Sequence, residues 1–325
     1  MREIEYREAI KEALDEEMQR DENVFLIGED IGIYGSSFRE TKGLLAKYGQ
    51  NRVIDTPISE SAIMGAGIGA ALTGSRPVVA IMFIDFMTLA MDQIINQAAK
   101  IKFMSGNKLT IPLVIRTQGG FGAGMAAQHS QSLEALYYHI PGLKLVMPST
   151  PYDVKGLLKT AIRDNDPVLF IEHKMLYLNK GPVPEKEYTI PLGKADIKRQ
   201  GTDVTILAYS RMVLESLKAS EELGERGISC EIIDPRSLSP LDESAILNSV
   251  KKTGKLVIVS EACKKGGVAS DISATVIEKA FDFLDAPIKI VAGLNTPIPY
   301  NSGLGQVCIP MKEDIVKAVY ALLKE

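Results

Sequence analysis

The sequence predicts an α/β protein built from two parallel-sheet domains. Three observations carry that expectation. Short apolar runs alternate with longer stretches of helical period. The runs are almost continuous in valine, isoleucine and leucine, as strands covered on both faces are. The alternation breaks once, at a polar segment with two prolines, and then restarts. A length of 325 residues also suits two domains better than one.

In the first domain, residues 1–180, the expected strands are 24–28, 53–56, 77–83, 113–117, 144–147 and 168–172. Each is short, apolar and bounded by polar or turn-forming residues. Between them, helical period predicts helices over about 4–20, 39–48, 60–74, 86–104, 131–138 and 151–164. Residues 181–191 read as a linker, because Gly181-Pro182-Val183-Pro184-Glu185-Lys186-Glu187 is polar and proline-rich. The second domain, residues 192–325, repeats the pattern. Strands are expected at 204–209, 230–234, 256–260 and 288–292, with helices at 211–226, 242–252, 268–283 and 312–323.

Composition excludes several function classes. A hydrophobic fraction of 46%, a charged fraction of 24% and a net charge of -4 describe an ordinary globular chain. That charge gives no basic footprint for nucleic acid or an anionic membrane. Cys230, Cys263 and Cys308 lie far apart with no metal-like spacing, so reduced thiols in the cytoplasm are expected. Met1-Arg2-Glu3-Ile4-Glu5 lacks the apolar run of a signal peptide, and no segment is long enough to span a membrane.

Glu60 is the leading candidate for chemistry. It ends the strand-to-helix turn Asp55-Thr56-Pro57-Ile58-Ser59-Glu60 and opens a helix rich in small residues, Gly65-Ala66-Gly67-Ile68-Gly69-Ala70-Ala71. One reading is structural: Ser59 caps the helix and Glu60 favours its dipole. The other is a buried carboxylate bonded to a cofactor ring nitrogen. Burial raises a carboxyl pKa, which lets Glu60 share a proton with a weakly basic aminopyrimidine such as that of thiamine diphosphate.

The same glycines spell Gly65-x-Gly67-x-x-Ala70, a dinucleotide fingerprint, with Asp85 at the end of the next strand. A nicotinamide dehydrogenase needs those glycines in the strand-to-helix turn, whereas here they lie inside the helix. Glycines there cost about 1 kcal/mol each against alanine, so they point to close packing against another helix or subunit.

Phe86 follows the 77–83 strand and is placed to stack on a planar ring or to fill the core. His129 follows the glycine-rich loop Gly119-Gly120-Phe121-Gly122-Ala123-Gly124. It reads either as a proton carrier on a loop or as a structural histidine. His139 and His173 read as structural. Residues 161–167 end a helix, where free carbonyls and Asp164 suit either a cation or a simple turn. The chain has no Walker A loop, no Gly-x-Ser-x-Gly elbow and no His-Glu-x-x-His. It also lacks a Gly-Asp-Gly segment with a downstream asparagine, the usual magnesium and diphosphate ligands of thiamine enzymes.

Taken together, these segments resemble a known family along the whole chain. They are Gly28-Glu29-Asp30, Asp55–Glu60, Asp92–Lys100, Ala127–Ser132, Pro141–Lys144, Ile162–Asn165, Asp234–Ser237 and Thr296–Tyr300. The chain is similar to the beta subunits of the decarboxylating component of 2-oxo acid dehydrogenase complexes, which are transketolase-like. The resemblance implies a thiamine-pyrimidine-binding N-terminal domain and a transketolase-type C-terminal domain. It implies two alpha and two beta chains, with thiamine diphosphate shared and magnesium held by the alpha subunit. It assigns Glu60 to cofactor activation, Met82 and Phe86 to the pyrimidine pocket, and His129 to substrate or to transfer onto a lipoyl group. Leu113, Ala161, Ile162, Asp164 and Asp166 match a potassium site. The C-terminal domain is implied to build the tetramer and to dock a lipoyl-bearing acyltransferase.

Gln128–Leu133, Val146–Pro151 and Glu172–Tyr177 look most like bacterial acetoin dehydrogenase beta chains. Leu89 stands where several pyruvate enzymes carry glutamine. Pyruvate and branched-chain 2-oxo acids remain open as substrates, and a non-catalytic assembly module remains open as a function of another class.

Overall fold

In the computed structural model, which describes residues 1–324, the chain forms two compact units. The first comprises Met1–Gly119 and Leu136–Leu192. The second comprises Gly120–Ala135 and everything from Gly193 onward.

The first unit holds β1 (Arg2–Glu5), β2 (Val24–Gly28), β3 (Val53–Asp55), β4 (Arg76–Ile81), β5 (Val114–Gly119), β6 (Lys144–Val146), β7 (Val168–His173) and β8 (Lys180–Val183). Six of these pair in parallel in the order β6-β7-β5-β4-β2-β3. The helices are α1 (Tyr6–Arg20), α2 (Leu44–Tyr48), α3 (Glu60–Leu72), α4 (Ile101–Met104), the short α5 (Glu134–Tyr138) that starts at the boundary between the units, and α6 (Pro151–Arg163). Strands β4, β5 and β7 are buried along nearly their whole length, so helices must cover both faces. α6 starts where Thr150 Oγ1 accepts the Asp153 N–H at 3.1 Å, with Pro151 at its first position.

The second unit holds β9 (Asp196–Arg199), β10 (Val204–Ala208), β11 (Cys230–Asp234), β12 (Ser237–Ser239), β13 (Leu256–Cys263) and β14 (Lys289–Gly293). Its sheet runs β14-β13-β10-β11-β9, parallel except for the antiparallel edge strand β9. α7 (Arg211–Gly224), α8 (Glu243–Thr253), α9 (Val268–Ala280), α10 (Ser302–Val307) and α11 (Lys312–Leu323) complete it. Its core joins Val204, Ile206, Ile232 and Val257 to Val213, Leu223, Ile315 and Val319. Among the described residues, no helix is long and apolar enough to cross a membrane.

Three details depart from the sequence expectation. The 86–104 helix is three pieces: a 3-10 turn at Phe86–Ala90, a π-helical turn at Gln93–Ala98, and α4. The start of the expected 4–20 helix is β1, which pairs antiparallel with β8 at the head of the expected linker. Residues 120–135 pack with the second unit, for reasons that lie in their anchoring.

Candidate functional site

In the first sheet β2 has β3 on one side and β4 on the other, so the chain reverses direction of travel across the sheet at β2. The crevice outside the carboxyl ends at such a point is where open α/β sheets bind ligands. Three segments leave strands there: Glu29 after β2, the 56–59 turn after β3, and Met82–Phe86 after β4.

Glu60 opens α3 and is 7% exposed. Its helix is not capped as the sequence suggested. Ser59 Oγ turns away and donates to the Pro57 carbonyl at 3.0 Å, leaving no side-chain cap. The Ser59 N–H lies near enough to the carboxylate of Glu29 to favour its charged form. The turn is pinned to β2 by the Thr56 N–H, which reaches the Gly28 carbonyl at 3.0 Å. No cationic side chain pairs with Glu60 among the described residues.

Glu29 went unassigned in the sequence reading, although its Gly28-Glu29-Asp30 segment carried part of the resemblance. It too is 7% exposed. Burial first, then the negative charge of Glu60, then that of Asp30, holds its carboxyl above the usual range, and the Ser59 N–H pulls the other way. Its Oε1 is buried with no hydrogen-bond partner. Two adjacent buried carboxylates without a protein cation suit a ligand that brings hydrogen-bond donors and partial positive charge.

The segment after β4 supplies the apolar wall. Phe86 is half-buried, and its N–H donates to the Phe83 carbonyl at 2.9 Å. Met82 is half-buried, with Ser37 Oγ donating to its sulfur at 3.1 Å. Ser61 Oγ, one residue beyond Glu60, donates to the Leu89 carbonyl at 2.6 Å. That bond ties the turn carrying Phe86 to the first turn of α3. Lys174 Nζ lies 3.9 Å from Asp85 Oδ2 and 5.0 Å from the Phe83 ring centroid, holding the same segment from β7's side. Glu60, Met82 and Phe86 therefore belong to one corner of the first unit, and Glu29 joins them.

His129 belongs to the second unit. It ends a 3-10 turn at Ala127–His129 and is half-buried. Ala126, just before that turn, sits at φ 62°, a region that costs a residue with a Cβ on the order of 1–3 kcal/mol. Such strain persists only where its surroundings enforce it. A cleft of about 480 Å³ in the same unit is lined by Gln128, Ser132, Leu133, Glu261, Cys263 and Ile298, among others.

The five positions matched to a potassium site converge at the end of α6. The Ile162 and Asp164 carbonyls accept from Arg76, through Nε at 2.9 Å and Nη2 at 2.5 Å. The Ala161 carbonyl accepts the Asp164 N–H, and the Leu113 carbonyl accepts the Val168 N–H. Lys144 bonds both Asp164 oxygens at 2.7 and 2.8 Å and reaches Asp166 at 3.2 Å, while Lys102 bonds Asp166. The carboxylates are thus already neutralised by protein cations. Each carbonyl keeps a second lone pair, so any ion held here is held through backbone oxygens.

Known proteins resemble the chain along its whole length. The family model for the transketolase pyrimidine-binding domain matches residues 2–180, and that for the transketolase C-terminal domain matches residues 193–315. The chain is 50% identical over 334 residues to the beta subunit of acetoin:2,6-dichlorophenolindophenol oxidoreductase from Bacillus subtilis, covering 99% of this chain and 98% of that one. It is 48% identical to the pyruvate dehydrogenase E1 component subunit beta of Gracilaria tenuistipitata var. liui, over 99% of this chain and 100% of that one. Identity to the 2-oxoisovalerate dehydrogenase subunit beta of Bacillus subtilis is 49%, over 91% of each chain. A solved structure described as a split-gene transketolase, an inactive beta4 tetramer, superposes with a TM-score of 0.81 at 23% identity, over 99% of this chain and 98% of that one. That likeness speaks to the fold alone.

Proposed function

The chain belongs to the transketolase-like family of beta subunits of 2-oxo acid and acetoin dehydrogenase components, and from that premise we propose that it completes a thiamine-diphosphate site with an alpha subunit and serves acetoin cleavage. The observation that carries the cofactor assignment is the Glu29–Glu60 pair, buried at the sheet's switch point with one orphaned oxygen and no protein cation.

The cofactor supplies a carbon nucleophile for addition to a carbonyl. Glu60 holds and returns a proton at the aminopyrimidine ring nitrogen, a task that needs one buried carboxyl and nothing else from this chain. Glu29 stands beside the Glu60 turn, and burial with the neighbouring Glu60 charge favours the protonated form of its own carboxyl. Phe86 and Met82 supply apolar cover for the ring. His129 moves a proton on the substrate or during transfer to a lipoyl group. The proposed assembly has two alpha and two beta chains. The alpha chain holds the diphosphate and magnesium, and a lipoyl-bearing acyltransferase receives the acyl unit. Potassium is proposed to bind through the carbonyls of Leu113, Ala161, Ile162 and Asp164, with Asp166 beside it.

Acetoin is favoured over pyruvate by the likeness of Gln128–Leu133 and Glu172–Tyr177 to acetoin chains, and by Leu89, whose side chain is 61% exposed where several pyruvate enzymes carry glutamine. The reconstituted alpha–beta complex, assayed with an artificial electron acceptor on acetoin, pyruvate and 3-methyl-2-oxobutanoate, tests the assignment. The highest kcat/KM is expected on acetoin. A tenfold preference for either oxo acid would reassign the substrate while leaving the family intact.

A further inference from the structure

The loop that carries His129 is tied at both ends to one place in the second unit. At its start, the Phe121 N–H donates to Glu261 Oε1 at 2.5 Å. Near its end, Ser132 Oγ approaches the same oxygen at 3.5 Å. The neck is closed by the Gly120 N–H, which donates to the Gln131 carbonyl at 2.9 Å. Glu261 is itself held by Arg211 at 3.4 Å. One residue earlier on β13 is Ser260, whose Oγ lies 2.7 Å from the Tyr209 hydroxyl. That hydroxyl donates to Glu134 Oε1 at 3.0 Å. Glu134 is 2% exposed and opens α5, just after the loop that carries His129.

We infer that Glu134 and Glu261 are positioning residues that clamp the His129 loop to the end of β13 through Tyr209, Ser260 and Arg211, so that the C-terminal domain sets where His129 stands. The consequence for His129 rests on its proposed role in substrate or lipoyl chemistry; the clamp itself does not.

The two carboxylates are not equivalent. Glu261 faces the Arg211 guanidinium, a backbone N–H and a serine hydroxyl. Glu134 faces the Tyr209 hydroxyl and no cation, with Glu261 as the nearby charge. Burial above all, then Glu261, pushes the Glu134 carboxyl up to about 7 from its ordinary 4.5, against the bonds from its own N–H and from Tyr209. In an open loop, exposed to water, it returns to the ordinary value. A carboxyl raised in the closed state stabilises that state in acid, and the advantage is lost as pH rises from about 4.5 to about 7. Closure thus weakens about five- to sevenfold per pH unit across that window and levels off above it.

The test is hydrogen exchange, corrected for intrinsic rates, on loop amides 121–133 in the reconstituted complex at pH 5, 6 and 7. Alongside it runs the pH profile of kcat with lipoyl domain as acceptor. The unmodified chain should lose loop protection about five- to sevenfold per unit, and Glu134→Gln should flatten that slope while keeping the loop closed. Tyr209→Phe should lower protection at every pH, and Glu261→Gln should loosen the Phe121 end first. A core role without a clamp would give Glu134→Gln the same slope as the unmodified chain, and that result overturns the inference. Full activity in His129→Ala would remove the catalytic reading of His129, yet the exchange data would still judge the clamp.

Discussion

Two glycines in α3, two residues apart, should respond oppositely to the same substitution. Gly67 faces the sheet, and a Cβ built on it would meet Val79 Cγ2 at 2.4 Å. Gly69 is exposed, and a Cβ there would meet nothing within 4 Å. Both changes to alanine gain the same helix propensity, about 1 kcal/mol. Gly67→Ala must also separate α3 from β4 or turn a stiff, fully buried valine. Overpacking of that kind costs about 1–3 kcal/mol. The difference between the variants is therefore about 2 kcal/mol, or about 4–8 °C in melting temperature for a domain of this size. Thermal melts of the isolated chain followed by circular dichroism measure it directly. Gly69→Ala should melt above the unmodified chain and Gly67→Ala below it, and Val79→Ala should relieve the second effect. Equal shifts in the two variants would refute the packing argument. Because α3 begins at Glu60, Gly67→Ala should also lower activity in the assembled complex, where misplacement by about 1 Å can cost on the order of 100-fold.

Three further outcomes are expected. Arg116 is 1% exposed and bonds both Glu172 oxygens at 2.6 and 2.8 Å, with Glu40 at 3.3 Å. Arg116→Met leaves both acids buried without their cation, a loss of about 3–5 kcal/mol, and a fall of about 10 °C in the melt checks it. Glu29→Gln removes a carboxyl held above its usual range, so the isolated chain should gain stability. That gain should grow as pH rises above the ordinary carboxylate range, while calorimetry on the complex should show weaker thiamine diphosphate binding. Replacing sodium with potassium should raise the melting temperature, and Arg76→Met, which frees the Ile162 and Asp164 carbonyls, should alter that response; no ion effect in either protein removes potassium from the account.

Much of the first corner of the site was legible in the sequence because it is local. The Asp55–Glu60 turn, the helix it opens and Phe86 after the next strand all follow from short-range pattern. Ser59 does not cap because its hydroxyl bonds the Pro57 carbonyl two residues back, a choice between two local acceptors that residue type alone does not fix. The 86–104 segment read as one helix because a π turn changes hydrogen-bond spacing without disturbing apolar content. β1 and β8 escaped notice because each is four residues long, largely polar or proline-bearing, and paired with a partner far along the chain. The attachment of the His129 loop depends on Tyr209 and Glu261, which no local pattern connects to residue 121 or 134.

In the proposed function, Glu60 moves the proton that readies the cofactor. Its most direct measurement is the rate at which the thiazolium ring C–H of bound thiamine diphosphate exchanges with deuterium, by quench and nuclear magnetic resonance, in the reconstituted complex. Glu60→Gln should still assemble and bind cofactor, but should slow exchange by about 10²–10⁴-fold. Exchange at the unmodified rate, with cofactor bound, would contradict the claim.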